Sequence, residues 1–414
     1  WHAAPTSLKL SPLASYWVLM ANTEPLAPHY DITIIGGGIH GAGIAQACSA
    51  AGYRCLLLEK NTWASATSSK SSKLLHGGLR YLQTGQFKLV YECLQERERL
   101  LKNAPALAHI NQFYLPVYLH SKLPAWKIGL GLFLYRLLTG FTNRHSQFRI
   151  IPKQQWHTLH GLNTKNLSTV FSYQDAQTND KLLTTAVKNS AESLGCMALE
   201  HAELLSAIND SNSWQVEIQH QDTTHTLQSQ LIINASGPWV NEVIARCHRT
   251  KTLAIDLVQG THIILDKKIS DTCFYLEASD QRAVFVLPWY SKTLVGTTET
   301  PHQGAPENTA PTEKEIQYLL DTVKQHFPQA DLSIAMQFSG LRVLPQSEQR
   351  AFFRQRDTRF LDDNGLISIY GGKLTAYRAT AEKLLPLVQH YLGKRPRKAD
   401  TRTLRLDYPT SADS

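Results

Sequence analysis

The stretch over residues 30–60, YDITIIGGGIHGAGIAQACSAAGYRCLLLEK, decides the fold. Residues 30–35 form a short, β-branched, apolar run and read as a buried strand. Gly36-x-Gly38-x-x-Gly41 follows: Gly36 permits a tight turn, Gly38 lets the backbone approach a pyrophosphate, and Gly41 allows close packing of helix on strand. The alanine-rich IAQACSAAG reads as a helix stopping at Gly52, and CLLLEK over 55–60 supplies the next strand. Strand, glycine turn, helix and strand within about thirty residues begin a doubly wound α/β sheet. The helix N-terminus offers free N–H groups and a positive dipole to a diphosphate. Glu59, eighteen positions after Gly41, ends the second strand, where a carboxylate can accept hydrogen bonds from an adenosine ribose and opposes a 2′-phosphate. A lone glycine motif can be a purely structural turn, but strand, helix, second strand and terminal Glu together favour dinucleotide binding.

The next stretch, TSSKSSKLLHGGLRYL over 67–82, bears on which dinucleotide. NAD needs no Ser/Thr-rich loop directly after the ribose-binding strand, whereas a larger, buried flavin needs contacts along its ribityl chain and ring. Thr67, Ser68, Ser71 and Ser72 offer hydroxyls to such groups, and Gly77 and Gly78 permit close approach. On these residues alone, a flexible surface loop with an incidental glycine pair stays open.

The chain has 414 residues, 43% of them apolar and 18% charged, enough for two cores, since single cores seldom grow past about 250–300 residues. With 42 Lys plus Arg against 34 Asp plus Glu, the net charge of +8 favours anionic partners, yet no basic block is dense enough for nucleic acid. Six cysteines (Cys48, Cys55, Cys93, Cys196, Cys247, Cys273) form no CxxC pair and no His/Cys cluster, so neither a disulfide framework nor a metal site is indicated and a reducing, cytoplasmic setting fits. The apolar run Leu123–Phe141 is broken by Lys127 and Arg136, and its longest uncharged piece, Ile128–Tyr135, is far short of a bilayer span; the run reads as a buried domain helix, or alternatively as an interfacial membrane helix. Residues 1–29 read as a poorly ordered extension without signal-peptide features, and Met20 as a natural start.

Further along, Phe87–Asn103 reads as a helix whose Glu96-Arg97-Glu98-Arg99 run is a solvated face. A helix from Asp180 to Leu194 carries Thr178 or Asn179 as its cap, and Asp175 and Asp180 are assigned capping and surface roles. Alternating segments at 213–219, 225–233, 283–289 and 293–298 read as strands of an antiparallel sheet inserted in the nucleotide-binding domain. The chain returns to the first domain at LIINASGPW (231–239) and LISIYGGKLTAYRATAEKLL (366–385). The expected division is a first part of the nucleotide-binding domain over 30–110, mixed segments over 111–225, a return to that domain over 226–245, the inserted antiparallel sheet over 246–340, the first domain's final strand and helix over 341–395, and a tail over 396–414.

DITIIGGGIHGAG, ATSSKSSKLLHGGLRYL, INASGPW, GTHIIL, FSGLRVLP and IYGGKLTAYR, in this order and spacing, resemble the FAD-dependent glycerol-3-phosphate dehydrogenases of the D-amino-acid-oxidase-like superfamily. The resemblance spans about residues 31–392 and implies a Rossmann-like FAD-binding domain with an inserted antiparallel-sheet substrate domain. It further implies oxidation of sn-glycerol 3-phosphate to dihydroxyacetone phosphate by hydride transfer from C2 to flavin N5, in glycerol metabolism. Electrons pass to a quinone, or to oxygen in oxidase relatives, and contact with the inner membrane face follows as an expectation.

The matched positions imply the site. Arg80, Tyr81 and Arg342 clamp the phosphate and orient C2; His262 is the candidate base because imidazole titrates near the working pH; Lys373 eases flavin reduction. FAD contacts are implied for Gly36, Gly38, Ile39, His40, Gly41, Glu59, Lys60, Thr67, Ser68, Ser71, Leu75, His76, Gly78, Ala202, Ala235, Gly237, Gly372, Lys373, Leu374 and Thr375. Two departures stand out: QTNDKLL over 177–183 is less acidic than in relatives, and a short tail follows the final helix where many relatives carry a helical domain, which bears on subunit contacts, substrate capping and the acceptor. The competing readings are a related FAD oxidoreductase or oxidase acting on another hydroxy acid or an amine, and a non-catalytic flavin-binding subunit.

Overall fold

The structure is a computed structural model that describes residues 26–140, 144–210, 213–346 and 358–407. The N-terminal stretch through residue 25, with the assigned start at Met20, and residues 408–414 of the tail lie outside the described residues.

The opening stretch folds as its pattern dictates. His29–Ile35 and Cys55–Leu58 are parallel neighbours, joined by the helix Ile39–Ala50. Alternation along the strands divides the core in two. Ile32, Ile34 and Leu57 face the helices Ile39–Ala50 and Tyr377–Leu392, while Ile35, Leu56 and Leu58 face the helix Val240–Arg246 and the strand Trp214–His220. Burying each of these Leu or Ile side chains stabilises the sheet by roughly 1.5–3 kcal/mol.

The first sheet runs Arg359–Asp363, Leu366–Tyr370, Thr223–Asn234, His29–Ile35, Cys55–Leu58, Met197–Leu199. All neighbours are parallel except the first pair, so the strands from Ile35, Leu58, Asn234 and Tyr370 end on one side. Such C-terminal edges are where doubly wound sheets bind ligands.

The strands at 213–219 and 225–233 do not belong to the inserted sheet. Trp214–His220 pairs antiparallel with the first half of Thr223–Asn234, and the apolar second half, Leu231–Asn234, pairs in parallel with Ile32–Ile35 at the centre of the first sheet. The boundary drawn at 226 therefore cuts one continuous strand.

The second sheet is ten-stranded and mostly antiparallel. One long contact in it joins Ile255–Leu265 to Ile334–Pro345, with Val258 opposite Arg342 and His262 opposite Phe338. A boundary at 341 cuts this strand too, and Arg342 comes from the second sheet rather than from the FAD domain's return.

Three charge and helix readings are corrected. Arg97 is fully buried and Glu96 nearly so. Arg97 donates to Asp175 at 2.9 Å, and Arg378 donates to both oxygens of Glu96 at 2.7 Å, so the run is an interior anchor between elements rather than a solvated face. Asp180 is likewise interior, paired with Lys73 at 2.6 Å; Asn179 is the helix cap, its side chain accepting from the Leu182 N–H. The helix Ala125–Thr139 buries only Leu132 and Tyr135, which overturns the reading of it as a buried helix. The tail is not loose where it is described, for Thr401 and Leu406 are buried against the first domain and Thr401 accepts from Arg378.

Candidate active site

The strand ends open into a cleft of about 2660 Å³, solvent at its mouth included, running from the Gly36 turn to the second sheet. Gly36 has φ +110°, and a Cβ there would lie 2.6 Å from the Ala235 carbonyl oxygen. A Cβ on Gly41 would lie 1.8 Å from the Gly36 carbonyl oxygen. Gly41 thus sets the helix on the turn and, unlike Gly36 and Gly38, does not line the cleft.

Glu59 lies on the cleft wall and accepts from the Gly37 N–H at 2.7 Å and the Asn61 N–H at 2.8 Å. Burial raises its pKa, with the Asn61 and Gly37 donors pulling the other way. At the helix N-terminus, the Ile39 N–H donates to Ser68 Oγ at 2.9 Å, beside Gly38. His40 lines the same wall; its Nδ1 has no hydrogen-bond partner of ordinary geometry and burial lowers its pKa to about 4. The positive end of the helix, a half-buried neutral imidazole and side-chain-free backbone at Gly36 and Gly38 fit a diphosphate.

The loop from 67 to 78 crosses the cleft, but most of its hydroxyls are engaged by protein. Thr67 donates to the Leu341 carbonyl at 2.8 Å, Ser71 donates to Asp180 at 2.6 Å, and Ser72 shares a 2.9 Å hydrogen bond with His262 Nε2. These bonds fix the loop's path, and Thr67, Ser68, Ser71 and Ser72 all line the cleft. Leu75 is buried in the core beside Ile39 and Ala42 and does not line the cleft, whereas His76 and Gly78 do. Gly77 is set back as well: its N–H donates to the Tyr135 hydroxyl, which donates to Asp175.

Gly78 is required by conformation and by space. It has φ +81°, and a Cβ would lie 2.2 Å from Tyr81 Cδ2. Its turn places Arg80 and the buried Tyr81 on the cleft wall, with the Lys373 ammonium 3.5 Å from the centre of the Tyr81 ring, a cation–π contact. Across from them, Arg342 donates through Nη1 to Glu299 at 2.8 Å and through Nη2 to the Thr298 carbonyl at 2.7 Å. Arg80 reaches the same Glu299 oxygen at 3.6 Å. Sequence reasoning missed Glu299, since nothing in GTTET marks it and its partner Arg342 is 43 positions away.

His262 also faces the cleft, stacked on Phe338 with ring centres 5.0 Å apart. Burial, then the charges of Lys73 and Arg342, lower its pKa to about 3. Titration near the working pH, the reason for naming it a base, therefore does not hold; it is a firmly neutral acceptor. Lys60, Ala202, Ala235, Gly237, Gly372, Leu374 and Thr375 line the cleft as well. Lys60 is tied to Glu307 at 3.3 Å and lies over the Trp239 ring.

The sequence model of the FAD dependent oxidoreductase family matches residues 31–378. A glycerol-3-phosphate dehydrogenase of Pseudomonas aeruginosa is 35% identical over 385 residues, covering 90% of this chain and 74% of the relative. A D-erythritol 1-phosphate dehydrogenase of Brucella abortus is 36% identical, covering 87% of this chain and 74% of the relative. Among solved structures, the glycerol-3-phosphate dehydrogenase from Bacillus halodurans complexed with FAD superposes with a TM-score of 0.72 at 28% identity, over 91% of this chain and 68% of that one. The chain belongs to the FAD dependent oxidoreductase family and, within it, to the glycerol-3-phosphate dehydrogenase family. Its cofactor is FAD.

Proposed function

We propose that the enzyme oxidises sn-glycerol 3-phosphate to dihydroxyacetone phosphate and passes the electrons to a quinone. The observation that carries this reading is the convergence of Arg80 and Arg342 on one carboxylate, in the cleft that His262 and Lys373 also line. Two guanidinium forks at that place suit a phosphoryl group, which the arginines bind and orient. Bound FAD supplies the two-electron acceptor for the C2–H of the substrate. His262 accepts the C2 hydroxyl proton. Burial first, then the charges of Lys73 and Arg342, make the imidazole a poor base; a dianion bound next to Arg342 offsets the part due to charge and raises its proton affinity. Lys373, held on Tyr81, adds positive charge where negative charge develops.

Arg80→Ala and Arg342→Ala should each raise KM for glycerol 3-phosphate by about ten- to a hundredfold, with FAD content unchanged. His262→Asn should lower kcat by about 10²–10⁴-fold with little effect on KM. A larger loss in His76→Asn, another imidazole lining the cleft, would move the base assignment there.

The quinone and a membrane contact belong to the same proposal. No helix among the described residues is long and apolar enough to cross a membrane. The helix Ala125–Thr139 supports an interfacial contact, because Trp126, Leu130, Phe133 and Leu137 are exposed at helical spacing and Lys127 stands beside them.

A further inference from the structure

We propose that Ser72 is a catalytic residue whose hydroxyl relays the C2 hydroxyl proton of the substrate to His262. The inference rests on the reading above, in which His262 is the final acceptor of that proton. The imidazole is only 3% exposed, and the strands on either side hold its ring. Phe338 stacks on it at an interplanar angle of 13°. From the other strand Gly296 admits the ring only for want of a side chain, since a Cβ there would lie 2.0 Å from His262 Cδ2. Of the two ring nitrogens, Nδ1 is buried without a hydrogen-bond partner of ordinary geometry, and Nε2 shares its 2.9 Å hydrogen bond with Ser72 Oγ. A ring held in this way does not turn Nε2 past Ser72 toward a substrate, so a proton reaches it through that hydroxyl.

Ser72 is placed to carry it. The residues before and after it are tied to one buried carboxylate: Ser71 donates to Asp180 through its N–H at 3.0 Å and its Oγ at 2.6 Å, and Lys73 pairs with Asp180 at 2.6 Å. Between these anchors Ser72 lines the cleft. A hydroxyl has one proton to give and two lone pairs to accept with, so a serine that donates to Nε2 still accepts from a substrate hydroxyl. In the step, the C2 hydrogen leaves with its electron pair for bound FAD, and the electron pair of the breaking O–H bond becomes the second bond of the C2 carbonyl. The hydroxyl proton passes to Ser72 Oγ as the serine's own proton passes to Nε2. The substrate loses two electrons, FAD gains the same two, Ser72 ends neutral and His262 ends as an imidazolium. The charge of Lys73, which acts on this ring, is balanced by Asp180.

The test uses the FAD-loaded enzyme, mixed anaerobically with glycerol 3-phosphate while bleaching of the flavin is followed. Ser72→Ala should slow bleaching by about 10²-fold and leave the half-saturating substrate concentration unchanged. Relay and acceptor act as one unit, so the double variant Ser72→Ala, His262→Asn should be no slower than His262→Asn alone. Losses that multiply in the double variant, or a wild-type rate in Ser72→Ala, overturn the proposal. In mixtures of light and heavy water the wild-type rate should follow the curved dependence of two protons in flight; a straight line, as a serine that only props the imidazole would give, overturns it. Nitrogen NMR of histidine-labelled wild-type enzyme needs no turnover: His262 should carry its proton on Nδ1 and leave Nε2 bare. A proton on Nε2 would make Ser72 the acceptor in their hydrogen bond and overturn the proposal whether or not the variants fold. A wild-type rate in His262→Asn overturns the reading beneath it and the proposal together; a slowed His262→Asn beside an unslowed Ser72→Ala sinks the proposal alone.

Discussion

His262 and His40 are imidazoles that folding keeps neutral, with pKa values near 3 and 4 against about 6.5 in an unfolded chain. Between those values and about pH 6.5 the unfolded chain binds the protons and the folded one does not, so stability rises with pH through that window and is lost as pH falls through it. Each group contributes a slope of up to about 1.4 kcal/mol per pH unit. Denaturant titrations from pH 4 to 7 should therefore show a slope that shrinks in His262→Gln, whatever the variant's absolute stability; an unaltered slope would mean that His262 is charged when folded. At Gly78, substitution by Ala forces the added Cβ against Tyr81 and disturbs Arg80 and Lys373 with it, so kcat/KM should fall by about 10²-fold. Arg80 and Arg342 could be named as candidates because they sit inside the motifs that carry the family resemblance. Glu96, Arg97, Asp175 and Asp180 were not, since their partners lie far along the chain: Arg378 is 282 positions from Glu96, Asp175 is 78 from Arg97, and Lys73 is 107 from Asp180. Local charge spacing carries no trace of such pairings, and a surface face is its simplest reading.

Among the elements, the loop from 67 to 78 depends on the buried pair Lys73–Asp180, which joins it to the helix Asp180–Ser193. Removing one partner of a buried pair leaves the other charge uncompensated, so Asp180→Ala should cost about 3–5 kcal/mol and loosen FAD, measured as a rise in its dissociation constant; Ser72 and His262 would lose their fixed relation with it. The helix Ala125–Thr139 leads to a separate expectation. Trp126 is 66% exposed and Leu130 51%, so the double variant Trp126→Ser, Leu130→Ser should weaken sedimentation with anionic lipid vesicles and leave flavin reduction in solution intact. Equal sedimentation of variant and wild type would remove this helix as the contact. Its composition alone could not separate a core helix from an interfacial one, because apolar content fixes what a helix avoids and not what covers it.

Over the whole molecule, the parallel sheet was readable from the glycine turn and the strands beside it, whose period and end signals are local. What was not readable was the division of the later strands between the two sheets. Thr223–Asn234 serves as a hairpin arm in its first half and as the centre of the parallel sheet in its second, and Ile334–Pro345 spans a boundary that motif order places at 341. Pairing over such distances depends on the register of remote strands. In the cleft, the Gly36 turn comes from the first sheet, whereas His262 and Arg342 come from the second, so the cleft lies where the two meet. Anaerobic titration of the purified flavoprotein with glycerol 3-phosphate, glycerol, glycerate and an amino acid tests this account most directly. Stoichiometric bleaching of the flavin by glycerol 3-phosphate, lost or far slower with the unphosphorylated compounds, is the predicted result; bleaching by glycerol or an amino acid as readily as by glycerol 3-phosphate would contradict it.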